Sequence, residues 1–97
     1  MKKTIFAGLW KFADRLPIED IEKLAHEWAQ DDRYTQIYIR GAAKDQTAIG
    51  VMYNAGETAD SRIALEEYIH ESSDALRRRF GNDLVGWDFG SNAEIIK

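Results

Sequence analysis

Two histidines, four serines and 17 carboxylates are the side chains in this sequence whose types could support catalysis or ligand binding. His26 opens a run, His26-Glu27-Trp28-Ala29-Gln30, that starts like the two-histidine helix of zinc proteases. Gln30 stands where the second imidazole would be needed. His70 lies near Glu66, Glu67 and Asp74, which reads as a solvated surface cluster rather than a metal or proton-transfer centre. Ser61, Ser72, Ser73 and Ser91 occupy no nucleophile turn, so hydrolase chemistry has no support. The chain has no cysteine, which excludes disulfides and thiolate-bound metal. Neither Gly-x-x-x-x-Gly-Lys-Ser/Thr nor Gly-x-Gly-x-x-Gly occurs, so a phosphate-cradling loop is not expected either. The sequence therefore points away from an enzyme, a metal centre and a cofactor.

What remains is the placement of the carboxylates. The net charge is −4, but the signs are segregated. Lys2, Lys3 and Lys11 open the chain without an acid. Residues 14–32 then carry Asp14, Glu19, Asp20, Glu22, Glu27, Asp31 and Asp32 against Arg15 and Lys23. Residues 33–44 return to positive charge with Arg33, Arg40 and Lys44. Residues 45–76 carry Asp45, Glu57, Asp60, Glu66, Glu67, Glu71 and Asp74 against Arg62 alone.

The elements that position these groups follow from hydrophobic spacing. Ile18, Ile21, Leu24, Ala25 and Trp28 recur every three or four residues after Pro17, which predicts a helix ending at Asp31-Asp32. A second helix is expected from an N-cap at Thr58, with Asp60 in its first turn and Leu65, Tyr68, Ile69, Ser72, Leu76 and Phe80 buried. Arg77-Arg78-Arg79 suit its negative end and Gly81 its cap. Alternation predicts strands around Ile37 and Ile39, and around Ile49, Val51 and Tyr53, joined by a hairpin loop over residues 41–45. Thr4–Leu9 reads as a first strand, and Val85, Trp87 and Phe89 as the inward face of a last one, with Asn92–Lys97 extending it.

The resulting order, β-α-β-β-α-β over residues 1–97, is that of a single α+β domain: a ferredoxin-like βαββαβ unit with an antiparallel sheet and two helices on one face. An acylphosphatase-like domain would need a phosphate loop near Gly8-Leu9-Trp10, where none is found. An RNA-recognition domain would need a basic, aromatic third strand, whereas Thr47–Tyr53 is nearly apolar. Phe6, Tyr38 and Met52 are the candidates for the open face of such a sheet.

At 100° per residue from Leu65, Asp60, Glu67, Glu71 and Asp74 fall opposite the buried face of the second helix, in a row about 20 Å long. Asp20 and Glu27 hold a comparable outward position on the first helix, with Asp31 and Asp32 at its end. Such a row suits either a solvated face or a partner surface rich in Lys and Arg that normally holds nucleic-acid phosphates. Among the tryptophans, Trp28 and Trp87 fit core phases, and Trp10 is the expected exposed aromatic.

Size, acidity, the lack of catalytic motifs and a minimal α+β fold together resemble small phage-encoded anti-CRISPR proteins of the DNA-mimic type, which act on type I-F surveillance complexes. The resemblance spans the whole chain in length and expected topology, and no diagnostic motif carries functional residues across. It implies no catalysis, a basic DNA-binding groove as target, and carboxylates standing where phosphates would. A charge of −4 is modest for that class and favours blocking a local patch. The expected function is thus a non-enzymatic inhibitor in the cytoplasm that contacts a basic protein surface, without binding nucleic acid or membrane itself. The competing expectation is a small ferredoxin-like regulatory or ligand-binding module acting as a homodimer.

Overall fold

The computed structural model describes residues 2–42 and 45–95. Strand β1 (Lys2–Ala13) is followed by α1 (Ile18–Ala29), β2 (Tyr34–Gly41), β3 (Gln46–Gly56), α2 (Ser61–Phe80) and β4 (Leu84–Ile95), with a 3-10 turn at Gly81–Asp83. The four strands form one sheet in the order β2-β3-β1-β4, and every neighbouring pair is antiparallel. The chain is an α+β protein with a four-stranded antiparallel sheet and two helices, and its strand order is compatible with a ferredoxin-like arrangement. No helix among the described residues is long and apolar enough to cross a membrane.

Register sorts the side chains by face. Phe6 pairs with Tyr53, Gly8 with Val51, Trp10 with Ile49 and Phe12 with Thr47. On the other side of β1, Gly8 pairs with Phe89, Trp10 with Trp87 and Phe12 with Leu84. Ile37 and Ile39 of β2 extend the same face by pairing with Val51 and Ile49. Because successive strand residues alternate, these apolar groups share one side of the sheet, and both helices cover it. Trp10, Phe12, Leu16, Ile21, Leu24, Ile49, Leu76 and Leu84 form the resulting core, with Ala25, Trp28, Tyr68 and Phe80 packed against it. The opposite face bears Ile5, Ala7, Leu9, Ala48, Gly50, Met52 and Tyr38, together with Lys3, Lys11, Arg40 and Asp88.

Several sequence expectations need correction. Trp10 is fully buried, not exposed, because β1 continues to Ala13 and runs through the middle of the sheet. Phe6 is 1% exposed and faces the helices, whereas Tyr38 and Met52 do lie on the open side. The second helix is capped by Asp60, whose carboxylate accepts the Arg62 and Ile63 N–H groups at 3.0 and 3.2 Å. Thr58 instead shares a 2.8 Å hydroxyl–hydroxyl hydrogen bond with Thr4. Val85 is exposed and Leu84 takes the inward place, because a register irregularity opposite Lys11/Phe12 shifts the phase of β4. Ile18, on the expected apolar stripe of α1, is 43% exposed at the helix start. Of the expected hairpin loop, residues 43–44 lie outside the described residues, as do 96–97 of the C-terminal extension.

Candidate functional site

The carboxylates expected to act are all on or beside the two helices, but they differ in what already holds them. Asp60 is committed to capping α2. Asp74 approaches the His70 imidazole at 3.6 Å, one turn away. Glu27 of α1 receives two hydrogen bonds from the Arg79 guanidinium of α2, at 2.5 and 3.0 Å. That contact ties the two helices together and holds the Glu27 carboxyl below its ordinary range. Asp31 accepts from the Arg33 side chain at 2.7, 3.0 and 3.2 Å and from its backbone N–H at 3.0 Å, and these bonds lower its pKa. Among the described residues, the side chains of Asp20, Asp32, Glu67 and Glu71 make no hydrogen bond or ion pair, and all four residues are exposed. The eight expected residues thus divide into four with internal partners and four without.

The two acidic segments meet at a cluster of tyrosines. Tyr53 of β3 stacks on Tyr68 of α2 with ring centroids 4.4 Å apart, and Tyr34 at the start of β2 meets Tyr53 edge-on at 4.9 Å. The Tyr34 and Tyr68 hydroxyls are 2.9 Å apart, and Trp28 at the end of α1 stacks on Tyr34 at 5.1 Å. Arg33 sits 5.3 Å from the Tyr53 ring centre, a cation–π distance. Burial is the first cause of a raised pKa at all three tyrosines. At Tyr53 the Arg33 charge opposes that rise, while Asp31 and Glu71 both add to it. Asp31, from the end of α1, and Glu71, from α2, therefore lie close enough to one phenol for both charges to reach it. Tyr68 is also near the Trp10 indole, whose influence lowers its pKa. The geometry falls short of a hydrogen bond, and Trp10 Nε1 is a buried donor with no partner.

Glu67 and Glu71 do not simply point away from the sheet. They form one wall of a groove of about 180 Å³ whose other walls include Phe6, Tyr53, Thr58 and Tyr68. A larger and more open groove, about 540 Å³, lies between α1 and β2. It is lined by Glu22, Ala25, His26, Ala29, Ile37 and Ile39.

The groups that could act as nucleophile and base are not brought together. Ser73 is buried and donates to the His70 backbone carbonyl at 3.1 Å, while the His70 ring is exposed to solvent. His26 is exposed on α1. Among the described residues, no group of three or more His, Asp or Glu side chains is placed to hold a metal ion. Sequence reasoning missed the tyrosine cluster as a junction. Tyr53 and Tyr68 sit in core phases, so their rings were legible as packing, but their convergence with Tyr34 depends on tertiary contacts that spacing does not carry.

No protein-family model matches the chain, and no curated protein or solved structure gives a significant match.

Proposed function

We propose that this chain is a non-enzymatic inhibitor that occupies a basic, nucleic-acid-binding surface of a partner protein with the carboxylates of its helical layer. In this reading the fold is a ferredoxin-like split βαβ unit acting in the cytoplasm. The partner is the DNA-binding groove of a CRISPR surveillance complex of type I-F. Glu67, Glu71 and Asp74 on α2, with Asp31 and Asp32 at the end of α1, stand where phosphates would. Asp20 and Glu27 flank them on α1.

The observation that carries this reading is the run of exposed carboxylates along the middle of α2. Between Arg62 and Arg77, α2 carries Glu66, Glu67, Glu71 and Asp74 with no lysine or arginine among them, and its arginines lie in its first and last turns. A surface built only for solubility mixes the signs more evenly. Carboxylates fixed on a rigid helix attract Lys and Arg at long range and repel nucleic acid from the same groove.

Reversing Glu67→Lys, Glu71→Lys and Asp74→Lys together tests this. These positions are exposed and none caps a helix, so circular dichroism should stay unchanged. The expected result is at least a tenfold loss of binding to purified type I-F complex and of competition with its target DNA. Wild-type binding should weaken as salt rises from about 0.05 to 0.5 M. Unchanged binding by the triple variant sinks the proposal.

A further inference from the structure

We propose that a second copy of this chain docks on the outer edge of β2, so that two four-stranded sheets join into one and each copy closes the other's α1–β2 groove. The starting observation is that β2 is an edge strand with little to protect it. An unpaired edge presents a row of backbone N–H and C=O groups, which proteins usually blunt with charge, proline or a covering element. The eight residues of β2, Tyr34–Gly41, include no proline and a single charged side chain, Arg40. The opposite edge is treated differently: β4 carries Gly86, Asp88 and Gly90, and Arg77 of α2 reaches over its Trp87 at 5.7 Å.

The core also stops short at β2. Ile49 and Val51 of β3 are 0% and 1% exposed, but their partners Ile39 and Ile37 are only half-buried. These two isoleucines form the floor of the 540 Å³ groove, and Ala25 and Ala29 of α1 form its wall. Small residues on that wall leave room for another helix to come close.

The rim identifies the occupant. Glu22 and His26 are one helical turn apart on the groove side of α1. A second α1 running antiparallel reverses their order and places each carboxylate opposite the other copy's imidazole, making the same contact twice. Glu27, next to His26 in sequence, is tied back to Arg79. A two-fold axis perpendicular to the sheet, passing just outside the midpoint of β2, pairs β2 with the other copy's β2 in antiparallel fashion and keeps both helical layers on one side. Ile37 and Ile39 of each copy then approach those of the other beneath the paired helices. Such a contact is isologous and closes at two copies, whereas pairing β2 with β4 of the next chain would grow without limit.

Sedimentation velocity on the full chain over a concentration series, combined with hydrogen exchange, tests the proposal. The expected species is a dimer of about 22 kDa, twice the 11.1 kDa chain, with β2 amides gaining protection as concentration rises. His26→Glu sets carboxylate against carboxylate and should weaken association at least tenfold. The exchanged pair E22H/H26E should restore it, since both positions are exposed and the contact is reciprocal. A chain that stays monomeric up to about 1 mM overturns the proposal, including one that takes up a foreign strand peptide at β2 instead. So does assembly beyond two copies, or a dimer indifferent to His26→Glu whose β2 amides exchange at the monomer rate.

Discussion

Two glycines show how single residues set the packing of the sheet. At Gly8, an added Cβ would lie 2.5 Å from both the Asp88 carbonyl oxygen and the Phe89 ring. Phe89 therefore fills on β4 the space that a side chain at position 8 would occupy on β1. Gly50, on the open face, is covered in the same way by the Tyr38 ring, but there the obstructing atoms are the far end of an exposed side chain. Gly8→Ala must displace backbone and a core ring, and is expected to cost about 2 kcal/mol in urea unfolding. Gly50→Ala needs only a swing of Tyr38 and should cost much less; equal losses would contradict this account. Gly8 also explains why Trp10 was misread from the sequence. The inward phase of β1 is Phe6, Gly8, Trp10 and Phe12, and a glycine in the second place hides the alternation. The apolar partner that completes it lies about 80 residues away in β4, beyond the reach of local pattern reading.

The elements themselves were largely legible, because both helices and the β2–β3 pair keep a clean period over two or more turns or several alternations. Their ends were less so. Thr58 and Asp60 are both good N-cap types, and only the two backbone N–H groups bonded to Asp60 distinguish them. Asp60→Ala should therefore destabilise the protein by about 1 kcal/mol, seen as a lower urea midpoint, while Thr58→Ala leaves the α2 N-terminus capped. This dual placement also separates Asp60 from the rest of the acidic row, since altering it changes α2 as well as surface charge. The phase error at Val85 has a similar origin. The irregularity opposite Lys11/Phe12 belongs to strand pairing and leaves no mark in the residues of β4 alone. Of the candidate site, the outward carboxylates of α2 could be placed from periodicity. Their division into engaged and free groups could not, because Arg79 and Glu27 are 52 residues apart.

At the scale of the whole molecule, Tyr34, Tyr53 and Tyr68 join β2, β3 and α2 through ring contacts and one shared hydroxyl hydrogen bond. All three are held above the ordinary tyrosine value of 10.0, chiefly by burial. Each stays protonated in the folded chain at pH values where the unfolded chain ionises. The stability they confer is thus fully present below about pH 10 and is lost as pH rises through the folded values. Phenolate absorbance from these three should appear together with loss of the far-ultraviolet signal, and their ionisation well before unfolding would contradict the clustered arrangement. The placement of β1 has a consequence for how the protein is made. Strand β1 is synthesised before both of its neighbours, β3 and β4, which follow about 40 and 80 residues later, with Lys2 finally opposite Ile95. The nascent chain carries Phe6, Trp10 and Phe12 without β3 for about 40 residues of synthesis and without β4 for about 80. Sheet closure is then a late, non-local event, which makes folding slow for the chain's size and leaves unfinished chains prone to aggregate.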